Sequence, residues 1–298
     1  MESSRSLWLG AVLITLAFFS NTTQSVFGKY VEPVASAQLF TFGSFLIALV
    51  LVFLFVLFRG FRDLPTQKIR LHGVRAVTGI AGFALFMAAS QLTSLHVANV
   101  LVNTTPIFIP IIALIFLKER IAWQVWSAIA IGFVGVVAVV QPSAAMLANP
   151  GALLALAAGF VTAIEFIAVH YLDETESPIT QIFYFLLIGT ALSGLLSIGH
   201  FQLLPLWALL MMAVTGALLV LFQFLLIKAY LYAKPYEIGA FQYTAILFAM
   251  VYGLVLFGEK IDLLTIVGAA LICFGGIVSI TGRRQPDASD AELLPAQV

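Results

Sequence analysis

Charge is what this sequence has least of. Only 9% of its 298 residues are Asp, Glu, Lys or Arg, against about 25% in an ordinary soluble domain. A globule in water needs polar groups over much of its outside, so a water-facing surface is excluded for most of the chain. The 14 basic and 14 acidic residues cancel, which removes the single-sign field that would draw nucleic acid or an acidic partner. Cysteine occurs once, at Cys273. It can form no internal disulfide, no Cys/His spacing offers a metal site, and its apolar neighbours predict a small buried residue. There is no HExxH, no Gly-x-Ser-Gly, no pair of intramembrane aspartates and no Cys/His dyad within one span, so no enzyme and no cofactor are expected.

What the chain has instead is apolar length. Hydrophobic residues make up 62% of it and mean hydropathy is +1.09. A membrane helix needs about 20 mostly apolar residues. Such runs fall at 7–28, 36–58, 73–92, 96–117, 123–141, 151–170, 179–198, 206–227, 236–257 and 262–281. The first is too long for a signal-peptide core and no cleavage site follows it, so it is expected to be retained. Breakers such as Glu32-Pro33, Asn149-Pro150, Ser177-Pro178 and Lys234-Pro235 separate the runs. Twelve of the 14 Lys and Arg residues then fall on one side and only Lys29 and Lys260 on the other. Because cytoplasmic loops carry the Lys/Arg excess, both termini are expected in the cytoplasm. The polar tail 283–298 is expected to be disordered there.

The two halves echo one another. At an offset of 140, Phe116-Leu-Lys-Glu119-Arg-Ile121 falls on Leu256-Phe-Gly-Glu259-Lys-Ile261, with Thr104 on Thr244 and Gly135 on Gly275. At 141, Gly10-Ala11 falls on Gly151-Ala152 and Ala17 on Ala158. Five spans per copy is an odd number, so the second copy enters the membrane from the opposite side. Such inverted repeats hold a substrate site near the midplane, where the halves meet. The expected fold is all-α and integral to the membrane, ten transmembrane helices in two five-helix inverted-topology repeats, 1–148 and 149–282.

The stretch Asn103-Thr-Thr-Pro106-Ile-Phe-Ile-Pro110, then Phe116-Leu-Lys-Glu119-Arg-Ile121, Gly132, Gly135 and Gln141-Pro142, resembles the EamA-type domain. The second half repeats the pattern through Phe257-Gly-Glu259-Lys-Ile261 and Gly275-Gly276. EamA domains belong to the drug/metabolite transporter superfamily. The resemblance implies ten helices with both termini inside, and a transporter of small molecules. Ile246 stands in the ninth helix where many members carry a proline.

Polar side chains in lipid are costly unless they face protein or water, so they point to the pathway. In helix one, Asn21 and Gln24 share a face with Ala17, and a shift of 141 places Thr162 and Glu165 on the matching face of helix six. Glu165, amid Ile164, Phe166 and Ile167, is expected to bind a proton or a substrate amino group. The alternative is a protonated carboxyl that glues helices together. Helix four sets Asn99, Asn103, Pro106 and Pro110 on one face. The prolines free backbone carbonyls and predict a kink or gate, unless Thr104 and Thr105 simply satisfy those carbonyls in a packed bend. Gln242 and Tyr243 in helix nine, Phe83, Met87 and Gln91 in helix three, and Gln223 in helix eight complete the candidate substrate-binding set. His170 is a candidate proton relay. Glu119 and Glu259 lie at helix ends and are expected to be caps or loop-to-loop pairs. The glycines of helices five and ten predict close-packed scaffold.

These features predict a monomeric secondary active transporter in a bacterial inner membrane. It would export small metabolites such as amino acids by alternating access, with protons as a candidate coupling ion. An importer or a carrier of other organic solutes is the alternative, and a passive channel or scaffold subunit a further one. Phosphorylated substrates are disfavoured because no Lys or Arg is expected inside a span.

Overall fold

Apolar segments in a solvent without hydrogen-bonding groups must satisfy their backbone internally, and helices do so. The computed structural model describes residues 2–92, 98, 101–141, 149–258 and 262–281. Every regular element among them is helical. In chain order these are α1 (Glu2–Val31), α2 (Ala37–Arg59), α3 (Ile69–Leu92), α4 (Thr105–Phe116), α5 (Trp123–Val140), α6 (Pro150–Asp173), α7 (Pro178–Leu196), α8 (Leu206–Tyr232), α9 (Thr244–Phe257) and α10 (Leu263–Thr281). Short 3₁₀ turns occupy Phe61–Asp63 and Gly239–Tyr243. Among the described residues, nine stretches, one of them joining the second 3₁₀ turn to α9, are long and apolar enough to cross a membrane. The described part of the fourth, α4, is a shorter apolar helix of 12 residues. The chain is a multi-pass membrane protein.

The breakers in the sequence become helix caps. Asn149 accepts the Gly151 amide at 2.8 Å ahead of Pro150, and Ser177 accepts the Thr180 amide at 3.2 Å ahead of Pro178. In both cases proline sits in the first turn, where its missing N–H costs nothing. Gly258 ends α9 with φ 66°, the left-handed conformation that glycine adopts without a Cβ penalty.

Three expectations are corrected. First, α3 begins at Ile69 rather than at 73, so Arg75, counted among the twelve one-sided basic residues and placed at the edge of the run 73–92, lies deeper in the third span and is fully buried. Second, Pro106 stands in the opening turn of α4 and does not kink a continuous helix there. The Val102 carbonyl receives the Thr105 hydroxyl at 2.7 Å, and the same hydroxyl reaches the Gly159 carbonyl of α6 at 3.1 Å. Pro110 lies within α4 and is buried. Third, Cys273 is exposed on the outer face of α10, beside Phe274, itself 53% exposed.

Helices pack along three long seams, α1 on α8, α3 on α6 and α5 on α10. Helix α2 lies against α7 and α8, α7 also touches α3, and α4 rests on α6 as α9 rests on α1. The α5–α10 seam depends on glycine. A Cβ at Gly135 would stand 2.6 Å from the Gly268 carbonyl oxygen, and one at Gly268 the same distance from the Gly135 oxygen. Backbones this close leave no room for a side chain, which is how small residues let membrane helices approach. Large apolar side chains such as Phe58, Phe116, Leu153 and Val255 turn outward, as a surface solvated by lipid requires.

A buried charged cluster and the candidate substrate site

The face of α3 that packs on α6 carries Arg75, Gly79 and Gly82, at i, i+4 and i+7. The two glycines let α6 come close. A Cβ at Gly79 would meet the Glu165 Oε2 at 3.0 Å, and one at Gly82 would meet the Thr162 Oγ1 at 2.6 Å. Glu165 is therefore buried, 7% exposed, with its carboxyl laid against α3 one turn from Arg75.

Arg75 is wholly enclosed. Its Nη1 donates to the Gln181 Oε1 at 3.1 Å and its Nη2 to the Gln223 Oε1 at 2.6 Å. The Phe185 ring lies 5.0 Å from the guanidinium carbon, within cation–π range. Gln181 passes the chain onward, its Nε2 donating to the Asp173 Oδ1 at 2.5 Å. Glu165 and Asp173 both act electrostatically on Arg75. One polar network thus joins α3, α6, α7 and α8. Its parts explain one another, because a buried charge is tolerated only where hydrogen bonds and opposite charge replace water.

Of the residues expected from sequence, Glu165, Thr162 and Gln223 belong to this region. Asn21, Gln24, Phe83 and Met87 are half-buried along α1 and α3. The Gln24 amide donates to the Ser20 carbonyl at 3.4 Å. Asn103 is half-buried in the turn before α4. Gln242 and Tyr243 are buried, but in another setting. Tyr243 fills the hollow over Gly132, where a Cβ would stand 2.5 Å from its ring, and packs with Val136 and Ile272 in the α5–α10 scaffold. Asn99, Glu259 and the side chain of Gln91 lie outside the described residues. Arg75, Asp173, Gln181 and Tyr230 were not expected. In the sequence Arg75 enters only the count of one-sided basic residues, yet an arginine in step with two glycines on one helix face is a readable sign that it turns inward.

His170 does not face Glu165. It lines a shallow surface crevice with Ile109, Leu117, Glu119, Tyr171 and Tyr236. Glu119 accepts hydrogen bonds from Lys234 Nζ and Tyr236 Oη, each at 2.5 Å, so it is the loop-to-loop pair expected of it. Burial pushes the Glu119 carboxyl up, but those two bonds and the Lys234 charge outweigh burial and hold it below its ordinary 4.5. A carboxyl depressed by folding adds stability that is present above the unfolded value and lost as pH falls through the folded one. Thermal unfolding followed from pH 6 down through pH 3 should therefore show a steeper loss for the natural protein than for Glu119→Gln. Parallel curves would mean that the contact is energetically idle, as partly exposed ion pairs can be.

A bundle of apolar spans that encloses an arginine, a glutamate and two glutamine amides has the make-up of a membrane transporter. The chain belongs to the EamA-like transporter family, which matches it twice, over residues 8–141 and 149–281. It is similar to the S-adenosylmethionine uptake transporter of Rickettsia bellii, 26% identical over 90% of this chain and 91% of that one. It is likewise similar to the riboflavin transporter of Vibrio cholerae, 26% identical over 90% and 89% of the two chains. The pseudopaline exporter CntI of Pseudomonas aeruginosa is 25% identical over 88% and 93%. A solved crystal structure shares the fold, with a TM-score of 0.77 at 17% identity, covering 92% of this chain and 97% of the other. The family and these relatives are transporters, not enzymes.

Proposed function

We propose that the chain is a secondary active transporter that moves a small amphipathic metabolite, amino acids or their relatives first among them, by alternating access. The single observation that carries the reading is the charged cluster of Glu165 and Arg75, enclosed between α3, α6, α7 and α8. Charge held inside a span is expensive and marks function by default. Glu165 is the proposed partner of a proton or of a substrate amino group, with Asn21, Gln24, Phe83, Met87 and Thr162 lining the path.

The proposed architecture is ten spans in two inverted repeats, 1–148 and 149–282, with both termini and the tail 283–298 cytoplasmic in a bacterial inner membrane. The helix seams support it. Exchanging each helix for the one five places on turns α1–α8 into α6–α3, α4–α6 into α9–α1 and α2–α8 into α7–α3, and leaves α2–α7 and α5–α10 in place. All of these pairs are in contact. The doubled family match supports the same reading. The named relatives run in both directions, so the sidedness of transport is read from the assay.

The test is counterflow in proteoliposomes preloaded with unlabelled solute and offered trace label outside. A carrier gives a transient overshoot, a channel gives simple equilibration and a scaffold gives neither. Cysteine placed at Arg62 in a Cys273→Ala background should react with a membrane-impermeant maleimide only from the cytoplasmic side. Reaction from outside would overturn the two-repeat topology.

A further inference from the structure

Buried polar atoms without partners are few in folded proteins, and several in one place point to a partner that is missing. Three buried atoms of the charged cluster are in that state: Arg75 Nε, Tyr230 Oη and Asp173 Oδ2. A guanidinium carries five N–H donors. Gln181 and Gln223 each take one, through neutral amide oxygens. Arg75 is thus a buried cation with donors to spare and, among the described residues, no carboxylate bonded to it. Glu165 and Asp173 act on it through space. Tyr230 lies seven residues after Gln223 on the same face of α8 and feels the same two acids. The cation is held in place by amides, with Phe185 on one face, and its Nε–H is left without a partner.

A guanidinium with a donor unmet has a defined chemistry. A planar fork of N–H donors binds carboxylates and phosphates in bidentate fashion. Here two acidic side chains stand close by, so a dianionic phosphate would meet repulsion that a monoanionic carboxylate largely escapes. We propose that the buried, unpartnered Nε side of Arg75 is a carboxylate-binding subsite that takes the acid group of the transported metabolite when the surrounding helices part to admit it. An ammonium on the same molecule then reaches Glu165, one turn along α3, so the favoured solutes are zwitterions. This assignment rests on the transport reading above.

The experiment uses the full chain in proteoliposomes, with the 20 protein L-amino acids as counterflow solutes and their methyl esters as competitors. The ester keeps the ammonium and side chain and removes only the anionic charge. For any amino acid that the natural protein carries, the ester should compete roughly thirtyfold or more weakly, the scale expected when one member of a buried charge pair is removed. In Arg75→Gln acid and ester should become nearly equal, whereas Arg75→Lys, which keeps the charge without the fork, should retain part of the preference. An ester that competes as well as its acid on the natural protein overturns the subsite, and needs no variant to fold. So does undiminished discrimination in Arg75→Gln. Counterflow by riboflavin or simple amines with none by any amino acid overturns the subsite and leaves transport standing. Absence of counterflow for every solute overturns the transport reading itself.

Discussion

Glu165→Gln is expected to cut counterflow at least tenfold while the protein remains folded and monodisperse in detergent. Gln keeps the shape of the side chain, so the packing against Gly79 survives and only the charge is removed. A hydrogen bond to a charged group contributes about 1.5–3 kcal/mol, which is roughly tenfold to 150-fold in affinity. Any pH dependence of transport that arises from this carboxyl should vanish with it. The opposing outcome is equally sharp. If Glu165 serves only to hold α6 against α3, the variant should melt earlier and still transport at the natural rate. That result would remove the acid from the proposed pathway.

Gly135→Ala should damage the fold instead of the site. The added methyl group would stand 2.6 Å from the Gly268 oxygen and 2.9 Å from the Ile272 side chain. A backbone carbonyl cannot turn aside as a flexible side chain can, so the α5–α10 seam must open. Overpacking of this kind costs typically about 1–3 kcal/mol. Gly268→Ala meets the mirror-image obstacle, 2.6 Å from the Gly135 oxygen. Once one substitution has parted the helices, the second finds part of the space already made. The double variant should therefore lose clearly less stability than the sum of the two, because contacting residues couple. Thermal unfolding in detergent measures all three. Transport per folded molecule should hardly change, since neither glycine touches the charged cluster. Additive losses would show that the two positions yield independently and that the close seam is not what they share.

Much of this fold was legible because the lipid environment leaves few solutions. Runs of apolar residues had to become helices, and Pro, Gly, Asn and Ser between them had to become their ends, as Asn149-Pro150 and Ser177-Pro178 did. The glycines of helices five and ten announced a close seam because no other residue fits one. Glu165 was legible for the opposite reason, as an acid with no business in lipid. What the pattern could not give was depth. Arg75 stands third in the expected run 73–92, where an arginine can still reach the interface, and only the helix start at Ile69 and the small face of Gly79 and Gly82 make it a buried cation. Gln181 and Asp173 were hidden for the same reason, since residues at helix ends are normally wet and become partners only when a neighbour turns inward. The packing of Tyr243 over Gly132 was hidden because the two residues lie far apart in the chain and meet only in three dimensions.

Cys273 offers a practical handle. It is the sole sulfhydryl in the chain, placed midway along α10 and open to the outside of the bundle. A lipophilic nitroxide or fluorophore can be attached there without altering a single residue, and acyl-chain quenchers should reach it while charged aqueous ones do not. The unmodified protein can thus report its own immersion depth spectroscopically, on a helix assigned to scaffold, against which the movement of labels elsewhere can be gauged.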